Sequence, residues 1–368
     1  MMILMNDFKA EPPELREAML TAAKRVIESG WYVLGNEVTA FEKQWAAACG
    51  VGYGVGVGNG MDAIEITLRA LDIGLGDEVI TTSMTAFATV LAILRAGATP
   101  VLADIDADSA LLSLESAQRC ISVKTKAILL VHLYGQVRGM TAWQAFCKKQ
   151  GVLLIEDCAQ AHLAMWQGKV AGSMGEAGAY SFYPTKNLGA PGDAGMLVTH
   201  NAALAERAAR LRNYGQSVRY HHPELGMNSR LDEIQAAMLA ERMKWLAEFT
   251  DRRREIAQAY REGITHAAVQ QLAPPEEHAA HVYHLYVVTC PQRDALQDHL
   301  KSHQVQTLIH YPIPVQRQEP CRQIKRDPHG LIASERHAAQ CLSLPCHPQM
   351  TDDDVGTVIS AVNSFRVE

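Results

Sequence analysis

Lys186 stands in the run Ser181-Phe182-Tyr183-Pro184-Thr185-Lys186-Asn187-Leu188-Gly189-Ala190, 29 positions after Asp157 of Glu156-Asp157-Cys158-Ala159-Gln160. A lysine amine forms a Schiff base with a carbonyl. A carboxylate at the end of a buried strand keeps a pyridinium nitrogen protonated, because opposite charges stabilise one another. The two groups are the minimum apparatus for using pyridoxal phosphate as an electron sink. Each is ordinary alone. A lysine is usually a solvated surface residue, and an Asp after an apolar strand is usually a cap. Their order and their neighbours carry the reading.

A phosphate site is expected at Gly54-Val55-Gly56-Val57-Gly58-Asn59-Gly60-Met61-Asp62, where a strand runs into a helix. Glycines let a backbone approach an anion, and a helix N-terminus offers free N–H groups. The dinucleotide spacing GxGxxG is absent, so the loop suits one phosphate rather than a pyrophosphate. The bland alternative is a tight turn with an N-cap. Asp157 follows the apolar run Val152–Ile155 and should end a strand. Gln160 is placed to reach a phenolic oxygen, Ser181 to bind phosphate, and Lys186 rides a turn opened by Pro184. Burial lowers a lysine pKa, which fits such a residue for a nucleophile and then a proton shuttle. Asp193 is read as a loop-shaping residue.

Positioning these groups requires a scaffold. Helix is expected over Pro12–Ser29, stopped by Gly30, and over Val38–Cys49. Strand and helix then alternate: strands at Tyr53–Gly58, Glu78–Thr82, Pro100–Ala103, Ala127–His132, Val152–Glu156 and Ala179–Phe182, with helices at Met61–Leu71 and Ala86–Arg95. The strands are continuous apolar runs, as a sheet buried on both faces demands. The class is α/β, a mostly parallel sheet flanked by helices, with ligands beyond the strands' carboxyl ends. Residues 1–245 read as a large domain and 246–368 as a smaller α/β domain. One long helix over Leu231–Arg261, with Asp232 and Glu233 in its first turn, bridges them. In the small domain, Gln270–Pro275 reads as loop, Val282–Thr289 as strand, Arg293–His303 and Asp352–Phe365 as helices.

The formal charge is −6 with no long basic run, which speaks against nucleic acid as a partner. No apolar stretch is long enough for a membrane span, and Met1–Pro12 does not read as a signal peptide. Eight scattered cysteines without a CxxC pair suit free thiols in a reducing cytoplasm. Cys341, Cys346 and His347 have metal-ligand chemistry, but no metal is expected.

The ordered motifs resemble the DegT/DnrJ/EryC1/StrS family of sugar aminotransferases, which are fold-type I, aspartate-aminotransferase-like enzymes. Besides the runs above, they include Gly30-Trp31-Tyr32-Val33-Leu34-Gly35, Val131-His132-Leu133-Tyr134-Gly135, Gly226-Met227-Asn228-Ser229-Arg230-Leu231-Asp232, Ile309-His310-Tyr311-Pro312 and Leu342-Ser343-Leu344-Pro345. The resemblance implies that Lys186 carries the Schiff base, Asp157 pairs with the pyridine nitrogen and Gln160 contacts the phenolic oxygen. Ser181 and the backbone at Gly60 and Met61 would bind the phosphate. Asn228 would reach the phosphate of a partner subunit's cofactor, which implies a homodimer with shared sites. Relatives often have Thr at Met61, an aromatic at Ala86 and His at Gln316. Met84 and Phe87 are the candidates to replace that aromatic on the ring face, and helix core is the alternative for Phe87.

On the substrate side, the closest likeness is to enzymes acting at carbon 3 of a dTDP-linked keto-6-deoxyhexose, for deoxyaminosugar biosynthesis. Carbon-4 enzymes more often have His where this chain has Tyr183. The expected amino donor is glutamate. Tyr183, Arg219, His222, His310 and Tyr311 are candidates for the pocket, with Arg and His meeting the diphosphate. Alternatives remain: a 4-keto or UDP-linked sugar, another fold-type I enzyme such as a lyase or desulfurase, the family's dehydratase branch, or a non-catalytic regulatory member. Lyases and desulfurases lack the Gly226–Asp232 segment, and the dehydratases typically have His in place of Lys186.

Overall fold

A computed structural model of the chain describes residues 2–366. Among the described residues, nine strands precede residue 200: β1 Tyr53–Val57, β2 Glu78–Thr82, β3 Thr99–Ala103, β4 Thr125–Val131, β5 Leu153–Asp157, the short pair β6 Met165–Trp166 and β7 Lys169–Val170, β8 Ala177–Ser181 and β9 Gly195–Thr199. Four follow: β10 Gln270–Gln271, β11 Tyr286–Thr289, β12 Lys325–Arg326 and β13 Cys341–Leu344. The large sheet has the order β1-β9-β8-β5-β4-β2-β3-β12. Its pairs from β8 to β12 are parallel. β9 is antiparallel to both its neighbours, β1 and β8.

That topology sets the site. β1, β5 and β8 point the same way, so Gly58, Asp157 and Ser181 share one edge of the sheet. The reversal into β9 makes residues 182–194 a return loop on that edge, and Lys186 lies on it.

The apolar strand runs bury both faces, because successive side chains point to opposite sides. Ile128, Leu130, Leu154 and Tyr180 face Phe41 and Trp45 of the helix Asn36–Cys49 and Trp143 of the helix Met140–Gln150. Ala127, Leu129, Ile155 and Ala179 face Ile64, Ile66 and Leu68 of the helix Gly60–Ala70 and Ala208 of the helix Ala202–Leu211. The first helix, Pro13–Ser29, ends where Gly30 turns to φ 66° and donates its N–H to the Ile27 carbonyl.

Two departures have physical causes. The expected single helix over Leu231–Arg261 is two helices, Glu233–Met243 and Leu246–Gly263, broken at Lys244 and Trp245. Ala237 packs with Ala22 and Val26, whereas Ala257 packs with Ile256 and Tyr260 in the C-terminal core. On one straight helix these two positions lie about 200° apart. The break lets each half bury its own face. The expected strand Val282–Thr289 begins only at Tyr286, because Val282 and Leu285 donate their N–H groups to Gly135 and Tyr134 of the large domain. One C-terminal segment also joins the large sheet, β12 beside β3.

Glu233 joins two of the helices. Its buried carboxylate accepts the N–H groups of Gly35, Glu37 and Val38 at 2.7, 2.9 and 3.0 Å, capping the helix Asn36–Cys49 from a distant part of the chain. Glu233→Ala strands three N–H groups and should cost about 1–3 kcal/mol. Denaturant titration checks this, and an unchanged midpoint contradicts it.

Candidate active site

Asp157 ends β5 and is 4% exposed. Its Oδ1 accepts the Ala159 N–H at 3.1 Å, and its Oδ2 accepts the Thr89 hydroxyl at 2.8 Å. Thr89 is in turn 2.9 Å from the Thr85 hydroxyl. Burial raises the Asp157 pKa, while these bonds and the Lys186 charge pull it back. The carboxylate keeps acceptor capacity for a cationic partner, since each oxygen has taken one bond.

Lys186 sits in a compact turn. Its N–H bonds to the Tyr183 carbonyl at 2.8 Å, and Phe182 is tied to both Ala190 and Ala194. Burial lowers the Lys186 pKa from 10.5 to about 8, against the opposing pull of Asp157. The amine therefore releases its proton far more readily than a solvated lysine, as a nucleophile and proton carrier must.

The helix Gly60–Ala70 points its N-terminus at Ser181. A Cβ on Gly60 would lie 2.6 Å from the Ser181 Cβ, so only glycine permits this approach. The first intrahelical bond is Ala63 N–H to Asn59 C=O, which leaves the Gly60 and Met61 N–H groups without intrahelical partners. Asn59 accepts the Asp62 N–H and fixes the helix start. Met61 packs on the core beneath, so it offers an anion its backbone and no hydroxyl. Ser229 braces the loop from behind, accepting the Gly58 N–H at 3.0 Å and donating to Asp62 at 2.7 Å.

Gln160 accepts the Tyr134 N–H at 2.6 Å and donates to the Tyr311 hydroxyl at 3.1 Å. An amide has two N–H donors, so one remains. The structure thus brings Tyr311 to the Gln160 side, where burial pushes its hydroxyl pKa up to about 12. His310 Nδ1 is 2.8 Å from the Ser343 hydroxyl, and burial with the Lys186 charge pushes its pKa down to about 4. Tyr183 is half-exposed on the lysine loop. Arg219 and His222 engage their own exposed hairpin: the guanidinium lies 5.0 Å from the Tyr220 ring centre, and the imidazole is 3.0 Å from the Tyr214 carbonyl. Asn228 bridges Asn213, beside Ser229.

Of the two candidates to replace the aromatic at Ala86, Met84 is fully buried in a core cluster and Phe87 packs toward Val315 and Leu331. Gln316 is buried and faces Glu335. Thr85, Thr89 and Tyr134 are not among the site residues expected from the sequence. Thr89 opens a helix 68 positions before Asp157, and no local pattern announces such a contact.

A buried carboxylate with spare acceptor sites, a buried amine of lowered pKa and an anion cradle at a helix N-terminus fit pyridoxal phosphate. Metal ligation has less to work with. All eight cysteines are buried free thiols. Among the described residues, His132, Glu156 and Cys158 approach one another. Glu156, however, already accepts His132 Nε2 and the N–H groups of Gly172, Met174 and Gly175.

The model of the DegT/DnrJ/EryC1/StrS aminotransferase family matches residues 13–363, and the chain belongs to that family. It is a pyridoxal-phosphate-dependent aminotransferase of fold-type I. It is 45% identical to the dTDP-3-amino-3,6-dideoxy-α-D-galactopyranose transaminase of Aneurinibacillus thermoaerophilus, over 96% of this chain and 95% of that one. It is 39% identical to a UDP-N-acetyl-3-dehydro-α-D-glucosamine 3-aminotransferase of Acidithiobacillus ferrooxidans, over 98% and 97%. The crystal structure of S. venezuelae DesV, in complex with a ketimine intermediate, superposes with a TM-score of 0.95 at 39% identity, covering 100% of both chains.

Proposed function

We propose that the chain moves an amino group from glutamate to carbon 3 of a dTDP-linked 3-keto-6-deoxyhexose, acting in the cytoplasm as a homodimer with shared sites. The observation that carries the chemistry is the convergence of Lys186, Asp157, Ser181 and the Gly60 helix start on one sheet edge. The likeness to a dTDP-3-amino-sugar transaminase supports the carbon and the nucleotide. Among the described residues, no helix is long and apolar enough to cross a membrane.

Bound pyridoxal phosphate supplies the carbonyl and the electron sink. Everything else falls to the chain. The N–H groups of Gly60 and Met61 and the Ser181 hydroxyl hold the phosphate, aided by the helix dipole. Asp157, whose charged form the Thr89 and Ala159 bonds favour against burial, holds the pyridine nitrogen's proton. The remaining Gln160 N–H reaches the phenolic oxygen. Lys186 Nζ takes and returns the substrate's proton. Tyr183, His310 and Tyr311 line the sugar side. Arg219, His222 and Asn228 serve the neighbouring subunit's site. The exposed Tyr214, Val218, Tyr220 and Leu225 on their hairpin suit burial against a second copy. Mixing inactive Lys186→Ala and Asn228→Ala proteins should restore some activity, through dimers with one intact site. No gain despite proven subunit exchange contradicts shared sites.

A UDP-linked sugar is the second reading, favoured by the 39% identical UDP-sugar aminotransferase. Thymine and uracil differ by one methyl, worth only about 1–3 kcal/mol in an apolar pocket. Regiochemistry rests on which carbonyl comes within about 3–3.5 Å of the amine. The test offers the enzyme glutamate with 3-keto and 4-keto dTDP-6-deoxyhexoses and a UDP-linked 3-keto sugar, then locates the nitrogen by NMR. Amination of the dTDP-linked 3-keto sugar is the expected result. Efficient conversion of the 4-keto or UDP sugar alone overturns this substrate assignment.

A further inference from the structure

His162 is 1% exposed and has no part in the chemistry derived above. Its Nε2 lies 2.9 Å from the Ser181 carbonyl, and its Nδ1 lies 3.1 Å from the Leu188 N–H. A carbonyl can only accept and a backbone N–H can only donate. The two partners therefore demand one tautomer, with the proton on Nε2, and leave no place for a second proton. Ser181 and Leu188 lie on opposite sides of Lys186 in the chain, so one ring ties both ends of the lysine turn.

The ring is itself held. Trp45, Tyr180 and Phe182 stand edge-on to it, with centres 5.6, 5.7 and 5.5 Å away. A second anchor grips the turn beside the lysine. Asn187 donates to the Val282 carbonyl at 2.9 Å, and its Oδ1 is 3.2 Å from His284 Nδ1. Both histidines are kept neutral. Burial pushes His162 down to about 3 and His284 well below its usual range, with the charges of Lys186 and Arg253 adding to the effect.

We propose that His162 is a positioning residue that clamps the two ends of the Lys186 turn through a neutral ring of fixed tautomer, with the Asn187–His284 pair as its second anchor. The proposal rests on the reading of Lys186 as the reacting amine, but its consequence is visible without turnover. A clamped turn keeps Nζ out of water and beside Asp157. A loosened turn admits water, which favours the ammonium and returns the lysine pKa toward 10.5. The titratable groups coupled to Nζ are Asp157, His162, His284 and His310. Of these, only the Asp157 charge favours the ammonium.

The test uses full-length protein freed of cofactor by dialysis against hydroxylamine. Acylation of Lys186 by acetic anhydride is followed across about pH 6 to 11 by peptide mass spectrometry. Wild type should show a midpoint near 8. His162→Gln, whose amide supplies a donor and an acceptor, should keep it. His162→Phe, which keeps the ring and loses both bonds, should raise the midpoint by about one unit or more. The reactive fraction at pH 8 then falls roughly fivefold. A folded Phe variant with the wild-type midpoint overturns the proposal, as does a Gln variant that shifts equally far. Asn187→Ala leaves the ring in place and removes the second anchor, so it serves where the Phe variant does not fold. A raised midpoint there supports the clamp, and an unchanged one overturns it.

Discussion

Lys186→Ala should lose turnover by about 10⁴-fold or more, because one side chain supplies both the nucleophilic amine and the proton carrier. The environment explains why no neighbour replaces it. His162, His284 and His310 are coupled to the amine, and burial, the largest cause for each and the one that survives the substitution, holds each pKa below its ordinary value. They are poor proton acceptors at neutral pH. Steady-state rates with glutamate and a keto sugar measure the loss. Residual turnover within tenfold of wild type contradicts the role. The variant should remain folded, since the turn is held by the backbone bonds of Phe182 and by His162 rather than by the amine.

Asp157→Asn should lower kcat by about 10²–10⁴-fold, or roughly 3–5 kcal/mol in the barrier. The substitution is nearly isosteric, and its effect is electrostatic. A neutral amide cannot hold a proton on the pyridine nitrogen, so negative charge developing during transfer loses its counterweight. The amide oxygen can accept from Ala159 or Thr89, but not as the carboxylate accepts from both. Some cofactor should stay bound, because the Gly60 and Ser181 cradle is untouched. Visible absorbance separates binding from turnover. Near-normal kcat with bound cofactor contradicts the assignment.

Much of this site is legible in the chain because it is local. A buried parallel strand is a short apolar run, its end is marked by Asp157, and a helix start open to an anion is marked by glycine at positions 58 and 60. The lysine turn carries its own proline. What escapes is whatever depends on distant contact. Thr89 supports Asp157 across two strands, and Tyr134 meets Gln160 through its backbone. The one-helix reading of Leu231–Arg261 failed because both halves are good helix formers. Only the phase difference between Ala237 and Ala257, visible once their two cores are known, requires a break. β12, two residues long, borrows its pairing from β3 and has no strand signature of its own. His162 lies two positions past Gln160, so its neighbourhood was readable, but its grip on both ends of the lysine turn was not.

The most direct measurement of the central claim is covalent. The enzyme loaded with pyridoxal phosphate is reduced with borohydride and digested, and the pyridoxyl-bearing peptide is sequenced by mass spectrometry. The label should fall on Lys186, in the peptide containing Tyr183-Pro184-Thr185-Lys186-Asn187. Label on another lysine, such as the exposed Lys169, or no label at all, would contradict it.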